Sequence, residues 1–323
     1  MNDLTTSDDP KTETTKAGFV AVIGAPNAGK STLVNRLVGT KVSIVTQKVQ
    51  TTRFPVRGVA ISGDTQLVLV DTPGIFKPRR RLDRAMVAAA WGGAGDADAI
   101  VHLVDVQAQI AVEAGDASPA DKRAIDDVDS IIEGLKASGR KAILALNKID
   151  GVKRERMLAV ADALFKAGVY SEAFMISAAT GSGVEDLLAK LVELMPAGPW
   201  LYPEDQSADV PQRVLASEIT REKLYLRVHE ELPYSTAVET TEFKELRDGS
   251  VRIEQSIYVE REGQRPIMLG KNGQTLKWIG QKAREELEVL LDRKVHLFLH
   301  VKVNEGWQND RALYAQFGLE YDV

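Results

Sequence analysis

Three short stretches of this chain carry side chains of the kind that hold a phosphorylated nucleotide. Gly24-Ala25-Pro26-Asn27-Ala28-Gly29-Lys30-Ser31 has the GxxxxGK[ST] spacing and lies between an apolar run, GFVAVIG, and the helix-like segment TLVNRLVG. In that strand-to-helix context, backbone N–H groups and the helix N-terminus wrap phosphates. Gly29 permits close approach, Lys30 reaches the outer phosphates, Ser31 offers its hydroxyl to Mg²⁺, and Thr32 follows in the first helical turn. Asp71-Thr72-Pro73-Gly74 closes the apolar run TQLVLV and puts a carboxylate where a metal-holding aspartate belongs, although the four residues alone also read as an ordinary turn. Asn147-Lys148-Ile149-Asp150 ends the run KAILAL. A fixed Asp150 carboxylate accepts from the N1–H and exocyclic amine of guanine, whereas adenine presents a bare N1 and leaves it unmatched, so the pattern selects GTP over ATP. Ser177-Ala178-Ala179 follows the run EAFMI and offers a backbone N–H to the guanine O6, a weak signal on its own.

Positioning these groups requires strands that end at one edge of a sheet. The short Val/Ile/Leu runs are apolar on both faces, which predicts buried, mostly parallel strands with helices on both faces of the sheet. RERMLAVADALFKAG and VEDLLAKLVELM have the three- and four-residue spacing of amphipathic helices. A length of 323 residues fits two domains, with 44% hydrophobic and 27% charged residues, as in ordinary globular chains. With no cysteine there is no disulfide framework or catalytic thiol, and a reducing cytoplasm fits. The net charge of −5 confines any nucleic-acid surface to a local patch, and no run of about 18 apolar residues suggests a membrane span. Residues 1–17 read as a disordered polar tail, 18–196 as the nucleotide domain, and 197–212, with Pro199, Pro203 and Pro211, as an extended linker. Residues 213–323 form a second, α+β domain in the order helix, strand, strand, helix, strand.

In that second domain Gly270-Lys271-Asn272-Gly273 follows RPIMLG, which reads as strand-like, and precedes the helical run TLKWIGQKAREELEVLL. A GxxG loop lets the backbone approach a single-stranded nucleic acid, as in a KH domain. From residue 264 to 284 there are five basic residues, Arg265, Lys271, Lys277, Lys282 and Arg284, and no acidic one. Positive charge is thus concentrated at the loop of an otherwise acidic protein. Lys271, Lys277, Lys282 and Arg284, with the GxxG residues, are the expected RNA contacts.

Taken in order, GxxxxGKS, DTPG, NKxD and SA resemble the translation-factor class of small GTPases. The wider stretches GAPNAGKSTLVNRLVG, KVSIVTQKVQTTR, DTPGI and NKID narrow the resemblance to the Era/TrmE-like family, and the tail HVKVNEGWQND with the GxxG order extends it to Era-type members with a C-terminal type II KH domain. The resemblance implies a P-loop GTPase domain that converts GTP and water to GDP and phosphate with Mg²⁺ as cofactor. It implies that Gln50-Thr51-Thr52-Arg53 is the first switch, with Thr52 ahead of Thr51 as the Mg²⁺ threonine beside Ser31 and Asp71, and that Lys30, Thr52 and Gly74 surround the reacting phosphate. The residue after DTPG is Ile75 and not a water-orienting glutamine, so slow intrinsic hydrolysis is expected. An asparagine at the Asn27 position holds K⁺ in related GTPases, which adds K⁺ as a second cation; a loop-stabilising amide is the other reading. The implied partners are the 3′ end of 16S ribosomal RNA and the maturing 30S small subunit. A monomeric, cytoplasmic protein is expected, and peripheral contact with the inner face of the membrane comes with the resemblance. A P-loop kinase or nucleotidase acting on a small substrate, and an RNA-binding module with a merely structural nucleotide, are the alternatives. Residues 107–121, long and acidic, read as an insertion without a family role.

Overall fold

The computed structural model describes residues 15–48, 50–229 and 232–323. The expected polar tail lies outside them up to residue 14, and its last positions, Lys16 and Ala17, already belong to the first strand. The first unit runs β1 (Lys16–Gly24), α1 (Lys30–Val38), β2 (Val56–Ser62), β3 (Thr65–Asp71), α2 (Arg81–Gly95), β4 (Ala99–Asp105), α3 (Val106–Ala114), α4 (Pro119–Ser138), β5 (Ala142–Asn147), α5 (Arg154–Phe165), β6 (Tyr170–Met175) and α6 (Val184–Leu194). Its strands, with β7 (Ala208–Asp209), form a seven-stranded sheet in the order β6-β5-β4-β1-β3-β2-β7, in which β2 is antiparallel to both neighbours and the other pairs are parallel. Apolar side chains on both faces of each central strand explain the layering. Ile23, Ile100 and Leu144 pack under α2, α4 and α5, while Val22, Leu69 and Leu103 pack under α1 and α6.

Residues 107–121 are not a loose insertion. The Asp105 carboxylate accepts from the N–H groups of Gln107 (3.0 Å) and Ala108 (3.3 Å) and caps α3, and Gly115 ends that helix in the left-handed conformation. A capping box between Ser118 and Asp121 then starts α4. The acidity that suggested solvated loop is partly capping chemistry. The linker is extended as expected, and it also adds β7 to the edge of the sheet. Buried Gln66 fastens it, donating to the Tyr202 carbonyl (2.8 Å) and accepting from the N–H groups of Leu201 (2.8 Å) and Tyr202 (3.0 Å).

The second unit runs α7 (Gln212–Arg227), β8 (Thr236–Glu245), β9 (Val251–Val259), α8 (Gln264–Leu269), α9 (Gln274–Leu290), β10 (Val295–Val303) and α10 (Arg311–Gln316). Its sheet order is β10-β9-β8, with β8 antiparallel and β10 parallel to β9. RPIMLG is helix and not strand. Pro266 sits where a first helical turn tolerates it, Gln264 accepts from the N–H groups of Glu260 and Arg261, and only Met268 enters the core. An apolar run this short has no period that separates the two states. Phe54, Ala85 and Met86 of the first unit share one core cluster with Ala237, Trp307, Tyr314 and Phe317 of the second. The Phe54 and Phe317 rings stack at 5.1 Å and 7°.

Candidate nucleotide and nucleic-acid sites

The carboxyl ends of β1, β3, β5 and β6 converge at the point where the strand order reverses, which is where open α/β sheets bind ligands. The loop Gly24–Gly29 joins β1 to α1 and encloses Lys30, whose Nζ donates to the carbonyls of Gly24 (3.1 Å) and Ala25 (2.9 Å). Burial lowers the Lys30 pKa from 10.5 to about 8, against the opposing field of Asp71. Beside it three oxygen-bearing side chains meet. Ser31 Oγ donates to Asp71 Oδ2 (2.7 Å), Thr52 Oγ1 donates to the same oxygen (3.1 Å), and the two hydroxyls lie 2.9 Å apart. Asp71 is fully buried; that burial raises its pKa, opposed by the hydrogen bond from Ser31 and the charge of Lys30. Its other oxygen, Oδ1, is buried and meets no hydrogen-bond geometry among the described residues, with the Ser43 side chain near the carboxyl. An enclosed carboxylate with a spare oxygen and two adjacent hydroxyls suits a small hard cation such as Mg²⁺. Thr51 lies apart, with its hydroxyl 2.7 Å from that of Thr46.

Asn147 ties three of the loops together. Its Nδ2 donates to the Ala28 carbonyl (2.7 Å) and its Oδ1 accepts from the Ala178 N–H (2.9 Å). Gly29 has a φ of +103°, and a Cβ there would lie 2.3 Å from the Asn147 amide, so no other residue fits. Asp150 is exposed and oriented by the Ser177 hydroxyl at 2.9 Å. Lys148, at a φ of +64°, pairs with Asp105 at 2.6 Å. Gln107 Nε2 donates to the carbonyls of Lys148 (2.8 Å) and Asp150 (3.3 Å), a support that motif reading missed because it lies in the stretch read as an insertion. Ile149 is partly buried against the core, and Thr72 donates to the Val22 carbonyl at 2.8 Å. Pro73 and Gly74 are buried, and the next N–H, of Ile75, donates to the Gly24 carbonyl at 3.1 Å, docking the DTPG turn on the phosphate loop.

These motif positions belong to a chain that matches the family described as 50S ribosome-binding GTPase over residues 19–148 and a KH domain over residues 231–308. It is 72% identical over 312 residues to GTPase Era of Caulobacter vibrioides, covering 97% of this chain and 99% of that protein. The chain belongs to the Era GTPase family. Two solved Era structures superpose on nearly all of it at 37% identity. One, described as a complex with MgGDPNP and nucleotides 1506–1542 of 16S ribosomal RNA, has a TM-score of 0.83 and covers 96% of this chain and 100% of that one. The other, a variant of Aquifex aeolicus Era bound to GDP·AlF4⁻, has a TM-score of 0.84 and covers 95% and 100%.

Within this Era-family fold, Ile75 is buried in the core with Ile23 and Ala90. Asn27, at a φ of +64°, donates through Nδ2 to the Gln47 carbonyl (2.9 Å). In the KH unit Gly270 (φ +73°) and Gly273 (φ +74°) flank exposed Lys271 and Asn272, the latter also left-handed at +53°. Lys277 and Arg284 are exposed two turns apart on one face of α9. Lys282 stands apart from them, paired with Glu285 (2.7 Å) in a groove of about 390 Å³ shared with Lys223, Leu226 and Trp278. Ile279 is a core anchor and Trp278 is partly buried beneath the Arg227 guanidinium.

Motif reading also missed the grip of the second unit on the connection from Lys41 to Arg53, which ends in the segment expected as the first switch. Lys41 bonds Glu222 and Glu286, and the Val45 N–H donates to Glu222 (2.9 Å). Lys48 Nζ donates to the Tyr225 and Val228 carbonyls at the end of α7. Buried Arg53 donates to the Thr236 carbonyl (2.8 Å) and the Tyr225 hydroxyl (3.2 Å), and Arg221 donates to the Thr51 carbonyl. No local motif marks these residues, because their partners lie more than a hundred positions away in the chain.

Proposed function

We propose that this protein is a GTP-hydrolysing switch that binds the 3′ end of 16S ribosomal RNA through its KH unit and assists maturation of the 30S subunit. The observation that carries the reading is the convergence of Ser31, Thr52 and Asp71 beside the phosphate loop: a threonine from a mobile-type connection completes a cation site only when the first switch is folded over it. Ser31, Thr52 and Asp71 would hold Mg²⁺, which when bound neutralises charge on the phosphate oxygens. Lys30 leaves the Gly24 and Ala25 carbonyls and turns its ammonium to the outer phosphates. The backbone from Asn27 to Ser31 wraps the inner ones, with Thr32 continuing the helix. Gly74 brings the DTPG turn to the reacting phosphate, and with Ile75 enclosed no side chain at that position orients water, so hydrolysis is slow without a partner.

Asp150 reads guanine. A backbone N–H of the Ser177-Ala178-Ala179 turn donates to the guanine O6. Lys271, Lys277 and Arg284 contact RNA phosphates beside the GxxG turn, with Lys282 at the margin of that surface. The domain division at 18–196, 197–212 and 213–323 is retained, with Lys16 and Ala17 drawn into the first domain. The cytoplasm, where ribosomal RNA matures, is the assigned compartment, and no helix among the described residues is long and apolar enough to cross a membrane.

The test is binding of a single-stranded RNA copying the 16S 3′ end, with a GTP analogue, with GDP and without nucleotide, alongside GTP turnover at fixed salt. Tighter binding with the analogue supports the switch. Equal binding in all three states leaves an RNA module without coupling, and no binding refutes the RNA assignment.

A further inference from the structure

We propose that Arg221, on the first helix of the KH unit, is a positioning residue for GTP hydrolysis: it holds the Thr51 peptide so that the Thr52 hydroxyl stays at Asp71 and Ser31. This rests on the nucleotide site assigned above and adds a residue from the other domain to it. Arg221 is 2% exposed, unusual for an arginine on a helix as charged as α7. Glu218 fixes its guanidinium through two N–H groups, Nε at 2.8 Å and Nη2, and the Tyr225 ring lies 5.3 Å beneath it. The oriented fork then donates to the Thr51 carbonyl. A peptide unit is planar, so anchoring the Thr51 oxygen also fixes the nitrogen and Cα of Thr52.

On the other side of Thr52 the chain is anchored again. Arg53 donates to Thr236 and Tyr225 and stacks over the Trp307 ring at 5.4 Å. Farther back, the Lys48 ammonium meets the carbonyls of Tyr225 and Val228, where the helix end is negative. Thr52 is therefore bracketed on both sides by contacts that originate beyond residue 212, alongside local ones from Gln50 to Asp83 (3.3 Å) and from the Thr51 hydroxyl to the Lys48 carbonyl (2.8 Å). Holding a connecting loop in one conformation costs backbone entropy at every residue that is fixed. Where the KH unit carries that ordering, Mg²⁺ and GTP need not.

The experiment uses the full-length protein. Arg221→Lys keeps a charge opposite Glu218, but a single ammonium cannot satisfy the carboxylate and also reach Thr51. The expected result is a kcat for GTP hydrolysis lower by about tenfold and a several-fold higher Mg²⁺ requirement, with GDP affinity measured without Mg²⁺ unchanged within about twofold. Adding Arg221→Lys to Thr52→Ala should slow hydrolysis no further than Thr52→Ala alone, because both act through one hydroxyl. Unchanged kcat and Mg²⁺ dependence in the folded variant would overturn the proposal, as would a loss that adds fully to that of Thr52→Ala. If Arg221→Lys does not fold, Arg221→Met with Glu218→Gln removes both buried charges together and is read by the same criteria. A parent protein that turns over no GTP fails the functional reading itself, before any variant is compared, and takes the proposal with it.

Discussion

Lys30 and Asp71 are enclosed beside the phosphate loop, each displaced from its ordinary pKa chiefly by burial, and this makes nucleotide binding a proton-linked event. The Lys30 pKa is about 8 against 10.5 in the unfolded chain, so between those values the unfolded chain binds more protons and this lysine's contribution to stability rises with pH. Below pH 8 the folded protein carries the full cost of the buried charge. Phosphate relieves that cost and returns the pKa upward, so GDP binding should take up part of a proton at pH 8.5, and affinity should fall from pH 8 to 9.5. Calorimetric titration in buffers of different ionisation enthalpy measures this; identical heats in every buffer would contradict it. At the base end, Asp150→Asn should weaken GTP binding by about a hundredfold and admit xanthine nucleotides, since the amide presents a donor where guanine also donates. Competition between GTP and xanthosine triphosphate for the variant decides it. Both residues were legible from type and spacing, because phosphate and guanine impose short local motifs. Arg221 was not, because its partner is a backbone oxygen brought to it only by the fold.

The elements show the same division between what local pattern reveals and what packing decides. The parallel strands and their helices follow from apolar runs, and they stand where the pattern put them. The α8 segment differs because three apolar residues after a proline satisfy either period. Most instructive is α7, whose Glu218, Arg221 and Glu222 would face solvent on any ordinary amphipathic helix and are instead enclosed. They pair with one another and with the first switch, so a face polar by composition becomes an interface. The linker holds by a similar economy of side chains. Gln66→Leu keeps the volume but strips the Leu201 and Tyr202 backbone groups of their partner, which should cost about 1–3 kcal/mol and expose the strap to limited proteolysis near residue 201. Cleavage no faster than in the parent would show that β7 alone holds the strap.

At the scale of the whole molecule, the cluster that joins Phe54, Met86, Trp307 and Phe317 gives the two units a common core. Thermal unfolding is expected as one cooperative transition, and two separated calorimetric peaks would disprove it. RNA binding should respond to charge at the GxxG turn: Lys271→Glu should lower affinity for a single-stranded 16S 3′-end RNA by about tenfold and flatten the salt dependence by about one ion. Unchanged affinity would remove the loop from the RNA surface. The shared core also bears on how the protein is made. Synthesis runs N- to C-terminal at roughly 5–20 residues per second, so the last loop of the nucleotide pocket, ending at Ala179, is made roughly 6–26 seconds before Trp307 exists to cover Phe54. During that interval the nascent chain has its phosphate loop but lacks the aromatic cover of Phe54, so the order of synthesis places the pocket ahead of the shared core.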